Sequence, residues 1–132
     1  MIIGIGTDIV EINRIARSVE KFGDKFLART FSTDELEQAK KLNDPTAYYA
    51  KRFAAKEAFA KAIGTGIGHA AAFKDISTLN NEQGTPYIEL AGDAATFIKN
   101  LQKTNGDRVA SIHVSLSDEK QYAQAFVILE LI

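Results

Sequence analysis

The sequence predicts an α+β fold: one domain over residues 1–132, with helices packed on a mostly antiparallel sheet in the order βαααα-ββ-α-ββ. Three observations predict it. Apolar residues at helical spacing fill the first half of the chain. Strand-like runs dominate the second half. The turns Asn80–Gly84 and Ser117–Lys120 join such runs directly, as hairpins do.

Taken in order, Met1–Thr7 is rich in isoleucine and reads as a short buried strand. Ile12, Ile15, Ala16, Val19 and Phe22 then recur at the spacing of one helical face. Gly23 closes that helix, and Asp24 can start a short second one. Ser32-Thr33-Asp34-Glu35 is a capping-box pattern that opens a third. Asp44 as N-cap and Pro45 at the first helical position start a fourth, which runs to about Ile63 and stops at Gly64. Asp75–Leu79 and Pro86–Leu90 are strands on either side of the Asn80–Gly84 turn. Asp93–Lys103 is a helix with Ala94, Phe97, Ile98 and Leu101 facing inward, and Asn105-Gly106 turns the chain. Arg108–Leu116 and Gln121–Leu131 are the last two strands, flanking Ser117–Lys120.

Composition narrows the function classes. Hydrophobic residues at 45% and charged residues at 25% are ordinary for a globular chain, which argues against disorder. The 16 basic and 17 acidic residues nearly cancel, so no global charge draws the protein to nucleic acid. Cysteine is absent, which excludes disulfides, thiol nucleophiles and cysteine metal sites. No apolar run approaches a membrane span, and the N-terminus lacks a signal peptide's basic region, so a cytoplasmic protein is expected. A chain of 132 residues has little room for a deep pocket, which favours a site shared between subunits.

Two glycine-rich segments fail as nucleotide motifs. Gly4-Ile5-Gly6 begins like a dinucleotide fingerprint, but Ile9 stands at the third glycine position. Gly64-Thr65-Gly66-Ile67-Gly68 lacks the Gly-Lys-Ser/Thr of a P-loop and follows a helix, whose C-terminal dipole end does not attract phosphate. It reads as a helix-to-strand connection, although Gly64 can let a ligand approach the backbone closely.

The residues that carry chemistry lie elsewhere. Gly6-Thr7-Asp8 ends the first predicted strand, and Arg52-Phe53-Ala54-Ala55-Lys56-Glu57-Ala58-Phe59-Ala60-Lys61 lies in the alanine-rich helix. Ala47, Ala50, Ala54, Ala58 and Ala62 line one side of that helix and let another element approach its backbone. Taken alone, Glu57 and Lys61 are an exposed i,i+4 ion pair worth only ~0.3–0.5 kcal/mol. Asp8 alone is a helix N-cap for Ile9 onward. Taken together, Asp8 and Glu57 can bind one Mg²⁺ and leave positions for water and substrate phosphates. Lys61, one turn along, adds charge for a phosphoryl oxygen or a leaving group.

In the penultimate strand, alternation puts Ser111, His113, Ser115 and Ser117 on one face and Ile112, Val114 and Leu116 on the other. That polar face is either simply solvated or a donor surface for phosphate oxygens. His69 follows the glycine loop as a surface residue. A Ser/His/Asp hydrolase is possible by inventory, but no nucleophile-elbow sequence supports it.

The segments Gly4–Glu11, Arg52–Ala62 and His113–Asp118, in this order and in a chain of this length, resemble the holo-(acyl-carrier-protein) synthases, the small trimeric branch of the 4′-phosphopantetheinyl transferases. The likeness covers essentially the whole chain. The Gly-x-Asp and Lys-Glu-x-x-x-Lys segments are that family's signature pair. The resemblance implies transfer of the 4′-phosphopantetheine arm of coenzyme A to a serine of apo acyl carrier protein, releasing adenosine 3′,5′-bisphosphate. It implies Mg²⁺ on Asp8 and Glu57, with Lys61 stabilising developing charge. Larger monomeric relatives often place a third acid two residues after the aspartate; here Val10 stands there, and a water is expected in its place. The resemblance also implies that Arg52, His113 and Ser115 contact coenzyme A phosphates and that Gly84-Thr85-Pro86 lies near the adenine. The sites are expected between neighbouring subunits of a homotrimer.

The partner surface is legible independently. Arg14, Arg17, Lys21 and Lys25 recur at spacings of three or four, and Arg29 extends the stripe. Alone this is a solvated helix face; with the resemblance it becomes a dock for the acidic recognition helix of acyl carrier protein. Two other classes compete with the enzyme: a non-catalytic module that binds coenzyme A or carrier protein, and a small phosphohydrolase using the same two carboxylates.

Overall fold

A computed structural model describes the whole chain, Met1 to Ile132. The elements are β1 (Ile2–Glu11), α1 (Ile12–Phe22), α2 (Asp24–Thr30), α3 (Thr33–Ala39), α4 (Thr46–Ala62), β2 (Ile76–Asn80), β3 (Pro86–Leu90), α5 (Gly92–Thr104), β4 (Ala110–Asp118) and β5 (Tyr122–Leu131), with a 3₁₀ turn at Phe73–Asp75. The predicted order holds throughout. All strand pairings are antiparallel: β1-β5-β4 form one sheet and β2-β3 a second. No helix is long and apolar enough to cross a membrane.

The long helix α4 organises the core. Strict alternation on β5 buries Ala123, Ala125, Val127, Leu129 and Leu131 on the face that meets the helices. On α4, Ala50, Ala54, Ala55, Ala58, Ala60 and Ala62 are buried together with Phe59, so the helix is covered on most of its circumference. Ile15 of α1, Phe26 of α2, Phe31, and Ala94 and Ile98 of α5 complete one continuous apolar cluster.

β1 departs from its predicted form in two ways. It runs on to Glu11, because it pairs with β5 from Ile2–Glu130 through to Glu11–Tyr122. It is also not buried on both faces. Gly6 and Val10 are buried toward α4, whereas Ile2, Ile5 and Ile9 point away from the helices and are more than half exposed. Asp8 is therefore a mid-strand residue and caps no helix; Glu11 precedes α1 without a capping side chain. Phe22, expected on the inward face of α1, is half exposed and has the Lys21 ammonium 5.3 Å from its ring centre.

Other local expectations hold with small shifts. The Ser32–Glu35 capping box is complete. α4 begins at Thr46, one residue later than predicted, yet Asp44 still accepts from the Thr46 backbone N–H at 3.1 Å and from its hydroxyl at 2.8 Å. Gly64 follows the C-cap of α4 with φ +83°, a conformation that favours glycine.

Candidate active site

The site begins at the seam between β1 and α4. Gly4 faces the Ala62 carbonyl and Gly6 the Ala58 carbonyl, so closely that neither position could carry a Cβ. This approach brings Asp8, two residues on along the same face, to the last turns of the helix. Lys61 reaches across, donating to the Thr7 carbonyl at 2.9 Å and lying 3.4 Å from Asp8 Oδ1. Lys61 thus pairs with Asp8 and not with Glu57, its i−4 neighbour, as the helix-surface reading had it.

The electrostatics identify Glu57 as a member of the same cluster. Burial pushes its carboxyl above the usual range, and the Asp8 charge pushes it further; Lys61 and Arg14 partly offset both. Burial also raises the Asp8 carboxyl, opposed by Lys61 and Arg14. Arg14, assigned to the partner surface by sequence, therefore also lies within electrostatic reach of both carboxylates. Glu57 accepts no hydrogen bond from within the chain, whereas Asp8 has Lys61.

Two half-buried carboxylates, one of them pushed up further by the charge of the other, suit a hard cation, which would neutralise the repulsion. Mg²⁺ in particular takes one or two carboxylates and completes its shell with water and substrate phosphate. No cluster of three acids or histidines exists, and Val10 is packed into the core at 3% exposure. A divalent cation placed at this cluster would find two anionic groups, Asp8 and Glu57, and none at the Val10 position.

Arg52 lies on α4 away from this cluster and is almost fully buried. Its Nη2 donates to Asn80 Oδ1 at 2.6 Å and its Nε to the Thr78 carbonyl at 3.4 Å, and its guanidinium sits 4.0 Å from the Tyr48 ring centre. Asn80 Nδ2 in turn donates to the Gly84 carbonyl at 2.9 Å, and Asn80 pairs with Pro86 across the hairpin. The structure therefore links Arg52 to Gly84 through Asn80, with Pro86 opposite Asn80 in the hairpin. An open cleft of about 620 Å³ lies beside it, lined by Asp34, Tyr48, Lys51, Arg52, Asn80 and Tyr87 among others.

Sequence reasoning passed over Tyr48 and Asn80 here, and it passed over a buried ion pair beneath. Lys56 is fully enclosed and donates to Glu35 Oε1 at 2.5 Å, to the Phe73 carbonyl at 3.0 Å and to the Ile76 carbonyl. Glu35 also accepts from the backbone N–H groups of Ser32 and Thr78. The pair locks α3, α4 and β2 together. One available signal is Lys56 standing four residues after Arg52 and directly after the small pair Ala54-Ala55 in an alanine-rich helix.

His113 and Ser115 are not brought to Asp8 within one chain. They are exposed on the outer face of the β1-β5-β4 sheet, whereas Asp8, Glu57 and Lys61 lie on the helix side. His113 Nε2 lies 2.8 Å from Glu130 Oε1 and 3.3 Å from Ser111 Oγ. Gly64 is exposed just beyond α4, in the connection that also carries the exposed His69. Arg14, Arg17, Lys21 and Lys25 are all exposed, with Arg17 3.7 Å from Glu11.

Comparison with known proteins gives a consistent result. The family model of the 4′-phosphopantetheinyl transferase superfamily matches residues 4–127. A holo-(acyl-carrier-protein) synthase of Shewanella denitrificans is 47% identical over 129 residues, covering 98% of each chain. The crystal structure of the synthase of that name from Neisseria meningitidis superposes with a TM-score of 0.86 at 40% identity, covering 98% of this chain and 99% of that one. A Bacillus anthracis holo-(acyl-carrier-protein) synthase, described in complex with coenzyme A (3′,5′-ADP), superposes at 0.79 with 38% identity, covering 98% and 97%.

Proposed function

From the premise that this chain belongs to the 4′-phosphopantetheinyl transferase superfamily and is an enzyme of the holo-(acyl-carrier-protein) synthase type, we propose that it moves the 4′-phosphopantetheine group of coenzyme A onto a serine of apo acyl carrier protein. The observation that carries this reading is the meeting of Asp8, Glu57 and Lys61 at the β1–α4 seam. The presence of all three residues together argues against a non-catalytic binding module.

The serine oxygen attacks the phosphorus that bears the pantetheine arm. A new P–O bond forms, the bridging P–O bond of the diphosphate breaks, and adenosine 3′,5′-bisphosphate leaves with the electron pair. Asp8 and Glu57 would hold Mg²⁺, which would supply charge neutralisation on the diphosphate. Lys61, exposed enough to turn from Asp8 toward substrate, stabilises the developing charge on the leaving oxygen. Glu57, which accepts no other hydrogen bond, takes the serine proton directly or through one water.

Arg52, Tyr48, Asn80, Gly84 and Pro86 form the nucleotide end of the site, and Gly64 lies beyond the Lys61 end of α4, where its backbone can approach the ligand. His113 and Ser115 contact phosphate from a neighbouring subunit. Two features support sites shared between chains, and the family resemblance supplies the number three: the sheet separates the two halves of the machinery, and Ile2, Ile5, Ile9 and Phe126 are exposed on the face that bears His113. Arg14, Lys21 and Lys25 dock the acidic carrier helix. No nucleic acid or membrane takes part, and the reaction is cytoplasmic.

The decisive experiment is mass spectrometry of apo acyl carrier protein after incubation with this protein, coenzyme A and Mg²⁺. Gain of one phosphopantetheine is expected. An unchanged carrier overturns transfer, and release of phosphopantetheine without carrier protein identifies a hydrolase instead.

A further inference from the structure

Glu130 is the one ionisable residue that bonds to His113. The two stand on neighbouring antiparallel strands: Ser111 is directly opposite Glu130, and His113 is one row further along the same face. Diagonal neighbours across a strand pair are within reach of long side chains. The Glu130 side chain is 31% exposed and the His113 ring 55%, so the carboxylate is the more enclosed partner.

The chemistry of this contact determines what the ring can offer a ligand. An ionised carboxylate only accepts hydrogen bonds, so the 2.8 Å contact requires a proton on Nε2. In the neutral ring, Nδ1 is then an acceptor and repels phosphate oxygen. In the imidazolium, Nδ1 is a donor and attracts it. The other charged groups on elements packed against β4 do not alter this choice. Lys51 of α4 is 3.3 Å from Asp118, and Tyr87 and Glu89 of β3 make no bond to the ring. Along the outer face, Glu11 and Tyr122 pair with each other's strands at the opposite end.

We propose that Glu130 is a positioning residue for coenzyme A: it holds Nε2 of His113 as a donor, turns Nδ1 toward the ligand, and makes the protonated ring the phosphate-binding form. This rests on the proposal that His113 meets coenzyme A phosphate.

The test combines steady-state kinetics with ¹⁵N NMR of the ligand-free full chain. His69 is the only other histidine, so a His69→Gln variant assigns the ring signals. Neutral His113 is expected as the Nε2–H tautomer in the wild type and in Glu130→Gln, whose amide carbonyl can still accept, and as a mixture in Glu130→Ala. Glu130→Ala should raise the KM for coenzyme A about tenfold, with kcat and the KM for acyl carrier protein unchanged. It should add nothing to a His113→Ala background, and Glu130→Gln should fall between wild type and Ala. An Nδ1–H tautomer in the wild type, a coenzyme A KM indifferent to Glu130→Ala, or full additivity with His113→Ala would each overturn the proposal. Absence of transfer by the wild type would overturn the functional reading instead, because the tautomer is read without substrate.

Discussion

Gly6 of β1 lies against the Ala58 carbonyl oxygen of α4 with no space for a methyl group between them. The strand and the helix meet backbone to backbone, and Gly4 repeats the contact at Ala62 one helical turn later. This contact is what lets Asp8 share a site with residues of α4. Gly6→Ala must push the two backbones apart, since neither the strand nor the helix carbonyl can rotate away. A loss at the upper end of the ~1–3 kcal/mol typical of overpacking is expected in urea unfolding. Gly68→Ala is the control: it meets no atom within 4 Å and has no positive φ, so its effect should stay within about 0.5 kcal/mol.

Asp8→Asn and Glu57→Gln should each lower transfer on the order of 10²–10³-fold, yet stabilise the metal-free fold at neutral pH. The sign follows from burial, which raises both carboxyls above their unfolded values. Stability carried by the neutral carboxyl is present below the ordinary value and is lost as pH rises through the raised one. An amide never ionises and so escapes that loss. Thermal unfolding without divalent ions should show the variants ahead of the wild type at pH 7 and level with it in acid. Added Mg²⁺ should raise the Tm of the wild type alone. Variants less stable than wild type at pH 7 without metal would contradict the assignment.

Lys56→Met should cost about 3–5 kcal/mol, because it leaves the Glu35 carboxylate enclosed without a counter-charge. Lys56→Met combined with Glu35→Gln should recover part of that loss. The amide is neutral and its oxygen can still accept from Ser32 or Thr78. Equal midpoints for the single and double variants in urea would show that charge burial is not the cause.

Much of the architecture was legible because local signals and packing agree here. The Ser32–Glu35 box, Asp44 before α4, and the alternation of β4 and β5 all point to the elements that form. The extent of β1 was not legible, since its last residues, Asp8–Glu11, are held by pairing with β5, a partner over a hundred residues away. Reading the strand as buried failed for a related reason: nothing local distinguishes an isoleucine facing a core from one on a sheet face left bare in the single chain. The packing role of Gly4-Ile5-Gly6 was not legible either, because it needs Ala58 and Ala62, far along the chain. Asp8, Glu57 and Lys61 are assembled in the sequence by the chemistry of two carboxylates beside a lysine, and the resemblance of their segments to a known family strengthens that reading. Arg52 was assigned by that resemblance, whereas its partners Tyr48 and Asn80 carry no motif and emerge only from three-dimensional contact.

Lys21→Glu and Lys25→Glu should raise the KM for acyl carrier protein by up to about fivefold each while leaving that for coenzyme A alone. Both residues are exposed on or just after α1. The difference should shrink as salt screens it at about 0.5 M. Arg14→Glu should behave differently and lower kcat as well, because Arg14 also acts on the Asp8 and Glu57 charges. Kinetics at two ionic strengths check this; a salt-independent KM for the lysine variants would remove them from the dock.

Composite sites predict a specific form of complementation. Glu57→Gln disables the helix-side half of a site, and His113→Glu disables the sheet-side half by setting a carboxylate against phosphate. The two halves face opposite sides of one sheet, so under the proposed shared sites a complete site forms only where two chains meet. In a cyclic trimer each interface is directional, so every mixed trimer holds one interface in which both contributing halves are wild type. Random exchange at equal amounts makes most trimers mixed, and the pooled activity should recover to about a quarter of the wild-type value. Subunit exchange followed by native mass spectrometry establishes that mixing occurred. Placing a charge among the exposed isoleucines, as in Ile5→Glu, should dissociate the assembly and abolish transfer together. An active monomer, or two inactive parents that stay inactive despite proven exchange, would place both halves of the site within one chain.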